Sequence, residues 1–158
     1  MRRCIEQAHE AAAAGGYALG AVVANREDLL ACVGSILTQK TDPTAHPEME
    51  AIKQAARIKD SRYLEGCYLF STLEPCPMCC AAAVWAKMAG VVFGASQQDA
   101  LAWTAAHPGI KHSWWQIEIP AHLIAQAGDP ALAIWEGVLR AQYQELFNLS
   151  EKASPERR

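Results

Sequence analysis

The chain of 158 residues carries a formal net charge of −3 and is 51% hydrophobic, the balance of an ordinary globular protein long enough to bury a core. That charge gives no net attraction to nucleic acid, and no apolar run is long enough to cross a bilayer, so neither a broadly basic nucleic-acid binder nor a membrane protein is expected. The opening residues lack the pattern of a secretory leader and the six cysteines are not spaced as a disulfide framework, so a cytoplasmic protein with reduced thiols is expected.

Cys4 to Ala14 reads as a helix ended by Gly15-Gly16, and Leu19 to Ala24 with Leu29 to Val33 as two strands joined by a polar turn at Asn25 to Asp28. A turn-rich loop, Thr38 to Thr44, leads to a helix that starts near His46 and runs to about Ile58, with Met49, Ile52 and Ala56 on one side. Cys67 to Thr72 reads as a short apolar strand, Met78 to Met88 as an alanine-rich helix, and Val91 to Phe93 as the next strand. Strand, helix and strand in that order need a crossover, so these two strands should be parallel and central. Ala95 to Ala105 reads as a further helix, Trp115 to Ile119 as a last strand, and Pro130 to Leu149 as a long closing helix. Trp85 and Trp135 fall on apolar helical faces and are expected in the core. Residues 1–149 then form one domain, and 150–158, charged and containing Pro155, a solvated flexible tail. The expected architecture is α/β, a mixed sheet with helices on both faces.

Three metal-ligand side chains stand out in this frame: His46 in Ala45-His46-Pro47-Glu48, and Cys76 with Cys79 in Pro75-Cys76-Pro77-Met78-Cys79. One imidazole and two thiolates suit zinc, and three protein ligands leave the fourth place of a tetrahedral ion open, as in a catalytic site. Residues two apart on a regular helix lie about 200° around its axis, so His46 and Glu48 serve one ion only at a helix end. Pro47 and Pro77 agree, because proline is favoured at the first helical position, which makes His46 and Cys76 the N-caps of two helices. Both N-termini would then converge on the metal, their positive partial charge favouring thiolates. Glu48, near the ion without binding it, becomes the proton carrier. A structural zinc knot or a redox CxxC pair is the bland alternative, against which the His, the Glu two places later and both prolines speak. Cys80 should point to another side of its helix and reads as a packed thiol, and Cys4, Cys32 and Cys67 read as small buried hydrophobes.

The segments Asp42-Pro43-Thr44-Ala45-His46-Pro47-Glu48 and Leu73-Glu74-Pro75-Cys76-Pro77-Met78-Cys79, with Gly20-Ala21-Val22 on the first strand, resemble the cytidine deaminase superfamily of zinc-dependent nucleobase and nucleoside deaminases. The likeness is strongest to its guanine deaminase, cytosine deaminase and tRNA adenosine deaminase branch, and covers roughly Cys4 to Gly94. It implies a three-layer α/β/α sandwich with a five-stranded mixed sheet whose last two strands run parallel, and a homodimer or larger assembly. The chemistry expected is zinc activation of water, with Glu48 taking a proton and returning it to a ring nitrogen and then to the departing amine. Ammonia leaves, an oxo group remains, and in the resembled families the N–H at the place of Cys76 stabilises the developing oxygen charge.

In the resembled base deaminases an asparagine eleven residues before the zinc histidine contacts the base; Ser35 stands there in this chain. A hydroxyl cannot make the bidentate pairing of a carboxamide, so specificity for guanine, adenine or cytosine is not carried over. Leu19 and Ala45 are expected to line the pocket. Trp103, Trp114 and Trp115 fall in the segment that covers the pocket in this superfamily, where each is either a stacking platform or core, and His107 and His112 either read a substrate edge or are solvated. After Val91-Val92-Phe93-Gly94-Ala95 the tRNA enzymes usually show a basic, glycine-bearing stretch, whereas this chain has Ser96-Gln97-Gln98-Asp99-Ala100. The expected substrate is therefore a small free nucleobase, nucleoside or related aminated heterocycle. A tRNA adenosine deaminase and a non-catalytic zinc-stabilised interaction module are the rival readings.

Overall fold

The structure is a computed structural model and describes residues 1–37, 39–108 and 117–152. Strands β1 (Gly20–Ala24) and β2 (Leu29–Gly34) form an antiparallel hairpin. Its turn is held by the Asn25 side chain, whose oxygen accepts the N–H of Glu27 at 2.8 Å and of Asp28 at 2.6 Å. Strand β3 (Tyr68–Leu73) pairs antiparallel with β1, whereas β4 (Gly90–Ala95) runs parallel to β3, and β5 (Ala133–Trp135) parallel to β4. The order across this five-stranded mixed sheet is β2-β1-β3-β4-β5.

Helices α2 (Pro47–Ile58), α3 (Pro77–Trp85) and α5 (Ala121–Gln126) pack on one face of the sheet. Helices α1 (Arg2–Ala13), α4 (Gln97–Ala106) and α6 (Arg140–Glu145), followed by a 3₁₀ helix (Leu146–Lys152), pack on the other. This is the expected three-layer α/β/α sandwich. Because both faces are covered, the central strands are apolar on both sides: Val23, Leu69, Val91 and Phe93 meet the α2 side, Val22 the α1 side. Each such side chain contributes about 1.5–3 kcal/mol by leaving water. Gly94 is required where it stands, since a Cβ there would overlap the Tyr143 ring, whose hydroxyl donates to the Met1 carbonyl at 2.9 Å.

The C-terminal third departs from expectation. Residues 117–119 form no strand; the fifth strand is Ala133–Trp135, inside the segment expected to be a long helix. Ile134 packs toward the α2 side while the Trp135 ring covers Gly90 on the other, a two-residue alternation that suits a strand. Gly137 at φ 74° and Leu139 at φ 59° then break the chain before α6. Trp135 is accordingly not a core helix residue but half-exposed on the edge strand, 5.8 Å from the Tyr68 ring. Trp85 is not core either and is 83% exposed: α3 buries Cys79, Cys80 and Ala83, and Trp85 lies about 200° around the helix from Ala83. The 3₁₀ helix ends at Lys152, and 153–158, the rest of the expected tail, lie outside the described residues. Among the described residues no helix is long and apolar enough to cross a membrane.

Candidate metal centre

The chain enters α2 through a short locked turn. The Asp42 carboxylate accepts from the backbone N–H and hydroxyl of Thr44 at 2.8 and 2.7 Å, and the His46 N–H donates to the Thr44 carbonyl at 2.8 Å. His46 is the N-cap of α2 with extended backbone (φ −63°, ψ 145°) and Pro47 follows at the first position; Cys76 caps α3 in the same way (φ −61°, ψ 166°) with Pro77 next. Two proline-started helices thus bring their N-termini together. His46 Nδ1 lies 3.7 Å from each of Cys76 Sγ and Cys79 Sγ, and the sulfurs are 3.5 Å apart. Zinc with S and N ligands at ordinary bond lengths in tetrahedral array needs about 3.8 Å between sulfurs and about 3.6 Å from sulfur to nitrogen, so these three donors fit the ion closely. They are also the one such cluster among the described residues.

The hydrogen bond from Cys79, helped by His46 and opposed by burial, holds the Cys76 thiol down at about 4. The same bond, burial and the neighbouring Glu48 push Cys79 up. One proton is shared by one sulfur pair, so a thiolate is ready as a soft donor at neutral pH. His46 is raised by its contact with Cys76. Burial pushes the Cys80 thiol up to about 11 and its Sγ is engaged with the Ala121 carbonyl at 3.4 Å, which keeps it out of the ligand set.

Glu48 is 5% exposed. One carboxylate oxygen accepts the Ser71 hydroxyl at 2.6 Å and the other lies 3.7 Å from Cys79 Sγ, facing the ligands without belonging to them. Burial pushes the Glu48 carboxyl pKa above the ordinary carboxylate value, and the Ser71 bond works against that rise. A carboxyl held this close to the ligands is placed to exchange a proton with a group bound there.

Ser71 was not among the expected site residues; its signal is a small hydroxyl directly after the apolar Leu69-Phe70 pair of β3. Glu74, given no role of its own within the Leu73–Cys79 segment, is a buried carboxylate whose oxygens accept the N–H groups of Gln97 and Ala121. Ser35 follows β2 directly, 1% exposed, its N–H donating to the Leu19 carbonyl at 2.9 Å and its hydroxyl without a partner among the described residues. Leu19 is half-buried and Ala45 fully buried beside His46. Trp103 lies in the cluster on the α1 side of the sheet: its indole N–H donates to Asn148 at 2.9 Å, and His107 stacks on it at 4.3 Å. Trp114, Trp115 and His112 lie outside the described residues.

One imidazole, two thiols and an unliganded carboxyl are thus gathered at two helix N-termini within a three-layer sandwich. The model of the cytidine and deoxycytidylate deaminase zinc-binding region matches residues 1–95, and the chain belongs to that family. It is 37% identical over 95 residues to a tRNA-specific adenosine deaminase of Aquifex aeolicus, covering 60% of this chain and 63% of that protein. It is 36% identical over 101 residues to a guanine deaminase of Bacillus subtilis, covering 63% of this chain and 65% of that protein. The chain thus spans less than two thirds of either curated relative. A solved guanine deaminase from Nitrosomonas europaea superposes with a TM-score of 0.76 at 22% identity, over 94% of this chain and 80% of that one, a likeness of fold.

Proposed function

We propose that the protein hydrolytically deaminates a small aminated ring, a free nucleobase, a nucleoside or a related heterocycle. The observation that carries this reading is Glu48: a buried carboxyl beside a three-donor zinc site, held by Ser71 and left unliganded. A purely structural zinc site has no use for such a group, which speaks against a non-catalytic module.

When bound, zinc lowers the pKa of water toward about 7. Glu48 takes the proton and passes it to the ring nitrogen beside the amino-bearing carbon. The water oxygen bonds to that carbon. Glu48 then takes the remaining proton from the added hydroxyl and delivers it to the amine, the C–N bond breaks, and ammonia leaves with an oxo group remaining on the ring. Ser71 keeps one Glu48 oxygen fixed through both transfers, and backbone N–H groups at the start of α3 favour the developing negative charge on oxygen.

The stretch after β4 supports a small substrate. Ser96 and Asp99 form a capping box for α4, and Asp99 is engaged by Arg140 and Gln144, so the segment is used inside the fold and offers no cations. The relative from Aquifex aeolicus favours a second reading, deamination of adenosine in tRNA. Ammonia release screened across free bases, nucleosides and a tRNA anticodon hairpin separates the two. Turnover of a small compound, with hairpin association that fades steeply with salt, supports the first reading. Inosine formed in the hairpin at physiological salt, with no small substrate turned over, establishes the second. We also propose a cytoplasmic homodimer or larger homo-oligomer; the exposed Ile58 and Trp85, at the C-terminal ends of α2 and α3, are apolar surface such an assembly would cover.

A further inference from the structure

Glu74 is a buried carboxylate that the proposed proton transfers do not use. It follows β3, two residues before Cys76, is 8% exposed, and lies outside the ligand cluster. One oxygen accepts the N–H of Gln97 at 2.7 Å, the first residue of α4, and the other the N–H of Ala121 at 2.8 Å, the first residue of α5. Its own N–H donates to the Ala95 carbonyl at 2.8 Å, and the Cys80 thiol reaches the Ala121 carbonyl from α3. A buried carboxylate is tolerated only when its oxygens are hydrogen-bonded, so the fold has committed two backbone donors from separate helices to this side chain.

We propose that Glu74 is a positioning residue for the metal centre: its carboxylate clamps the first turns of α4 and α5 to the Pro75–Cys76 loop and thereby fixes where Cys76 presents its sulfur. The proposal rests on the reading of His46, Cys76 and Cys79 as zinc ligands. Glutamine has nearly the same shape but replaces one acceptor oxygen with a donor, so in Glu74→Gln one of the two backbone N–H groups meets an NH₂ and the loop must shift.

Cobalt(II) in place of zinc tests this without any substrate, because its thiolate absorption bands report the sulfur geometry. Wild type should bind cobalt with tetrahedral bands; failure to do so would overturn the zinc-site reading and this proposal with it. Glu74→Gln should shift the bands and release cobalt to a chelator at least tenfold faster. Gln97→Pro removes one of the donated N–H groups at a helix position where proline is tolerated, and should reproduce the shift, whereas Gln97→Ala keeps that N–H and should not. This pair decides the matter even if Glu74→Gln fails to fold. Tyr143→Phe, which loses the bond to the Met1 carbonyl on the opposite face, calibrates how cobalt release responds to lost stability alone. Unchanged bands in Glu74→Gln with release no faster than in Tyr143→Phe at equal loss of Tm, or identical behaviour of Gln97→Pro and Gln97→Ala, would reduce Glu74 to ordinary structural support.

Discussion

Ser71 on β3 donates its hydroxyl to Glu48 on α2 at 2.6 Å, a bond between sheet and helix in which both side chains are buried. A hydrogen bond to a charged group is worth about 1.5–3 kcal/mol. If the bond orients the proton carrier, Ser71→Ala should lower turnover roughly tenfold to a hundredfold with zinc content unchanged. Glu48→Gln, which removes the carrier, should lose about 10²- to 10⁴-fold while retaining zinc and fold. Ammonia release and metal content measured on the same preparations check both, and a fully active Ser71→Ala variant would show that Glu48 needs no such support.

Replacement of Cys76 or Cys79 with alanine should abolish bound zinc. Cys80→Ala should keep it, since that thiol is protonated and turned to the Ala121 carbonyl, and should cost only modest stability. Metal analysis after gel filtration reads the outcome. Loss of zinc from the Cys80 variant would make the site a closed four-ligand one and remove the argument for catalysis.

Ser35 has a buried hydroxyl with no partner among the described residues, an arrangement that costs about 1–3 kcal/mol unless a ligand completes it. Ser35→Ala should therefore leave Tm equal or higher while lowering kcat/KM for the native substrate. Ser35→Asn should change the ratios of kcat/KM across a panel of aminated rings by up to roughly a hundredfold. Unchanged ratios in both variants would remove Ser35 from the substrate site.

Asp99 carries a pH-dependent share of stability. Burial raises its carboxyl, and the bonds from Arg140, the Ser96 backbone, Gln144 and the Ser96 hydroxyl outweigh that and hold it at about 2. An unfolded aspartate titrates near about 3.9, so the contribution is present above pH of about 4 and is lost as pH falls toward about 2. Its size is on the order of 2 kcal/mol. Denaturant midpoints of wild type and Asp99→Asn should therefore differ at pH 6 and converge toward pH 2; a constant gap across that range would mean that the charge is not responsible.

The parts of the fold that were legible in the sequence are those governed by local rules. Pro47 and Pro77 announce helix starts, and with them the N-cap places of His46 and Cys76, because proline at the first helical position acts through its immediate neighbours alone. The roles of Ser71 and Glu74 were hidden because their partners are distant: Glu48 lies 23 residues from Ser71, and Ala121 lies 47 from Glu74. The fifth strand was missed because three residues carry too little periodicity to outweigh the apparently helical run around them, and its place is set by pairing with β4.

The seat that Gly94 leaves for Tyr143 ties the late part of the chain to its beginning. Gly94 lies at the edge of the family match, which spans residues 1–95, whereas Tyr143 lies beyond it. The Tyr143 ring returns to the vacancy on β4, and through its hydroxyl that return also secures the opening turn at Met1. A small residue at 94 and a large one arriving late in the chain fit as a lock and its key, so enlarging the one calls for shrinking the other.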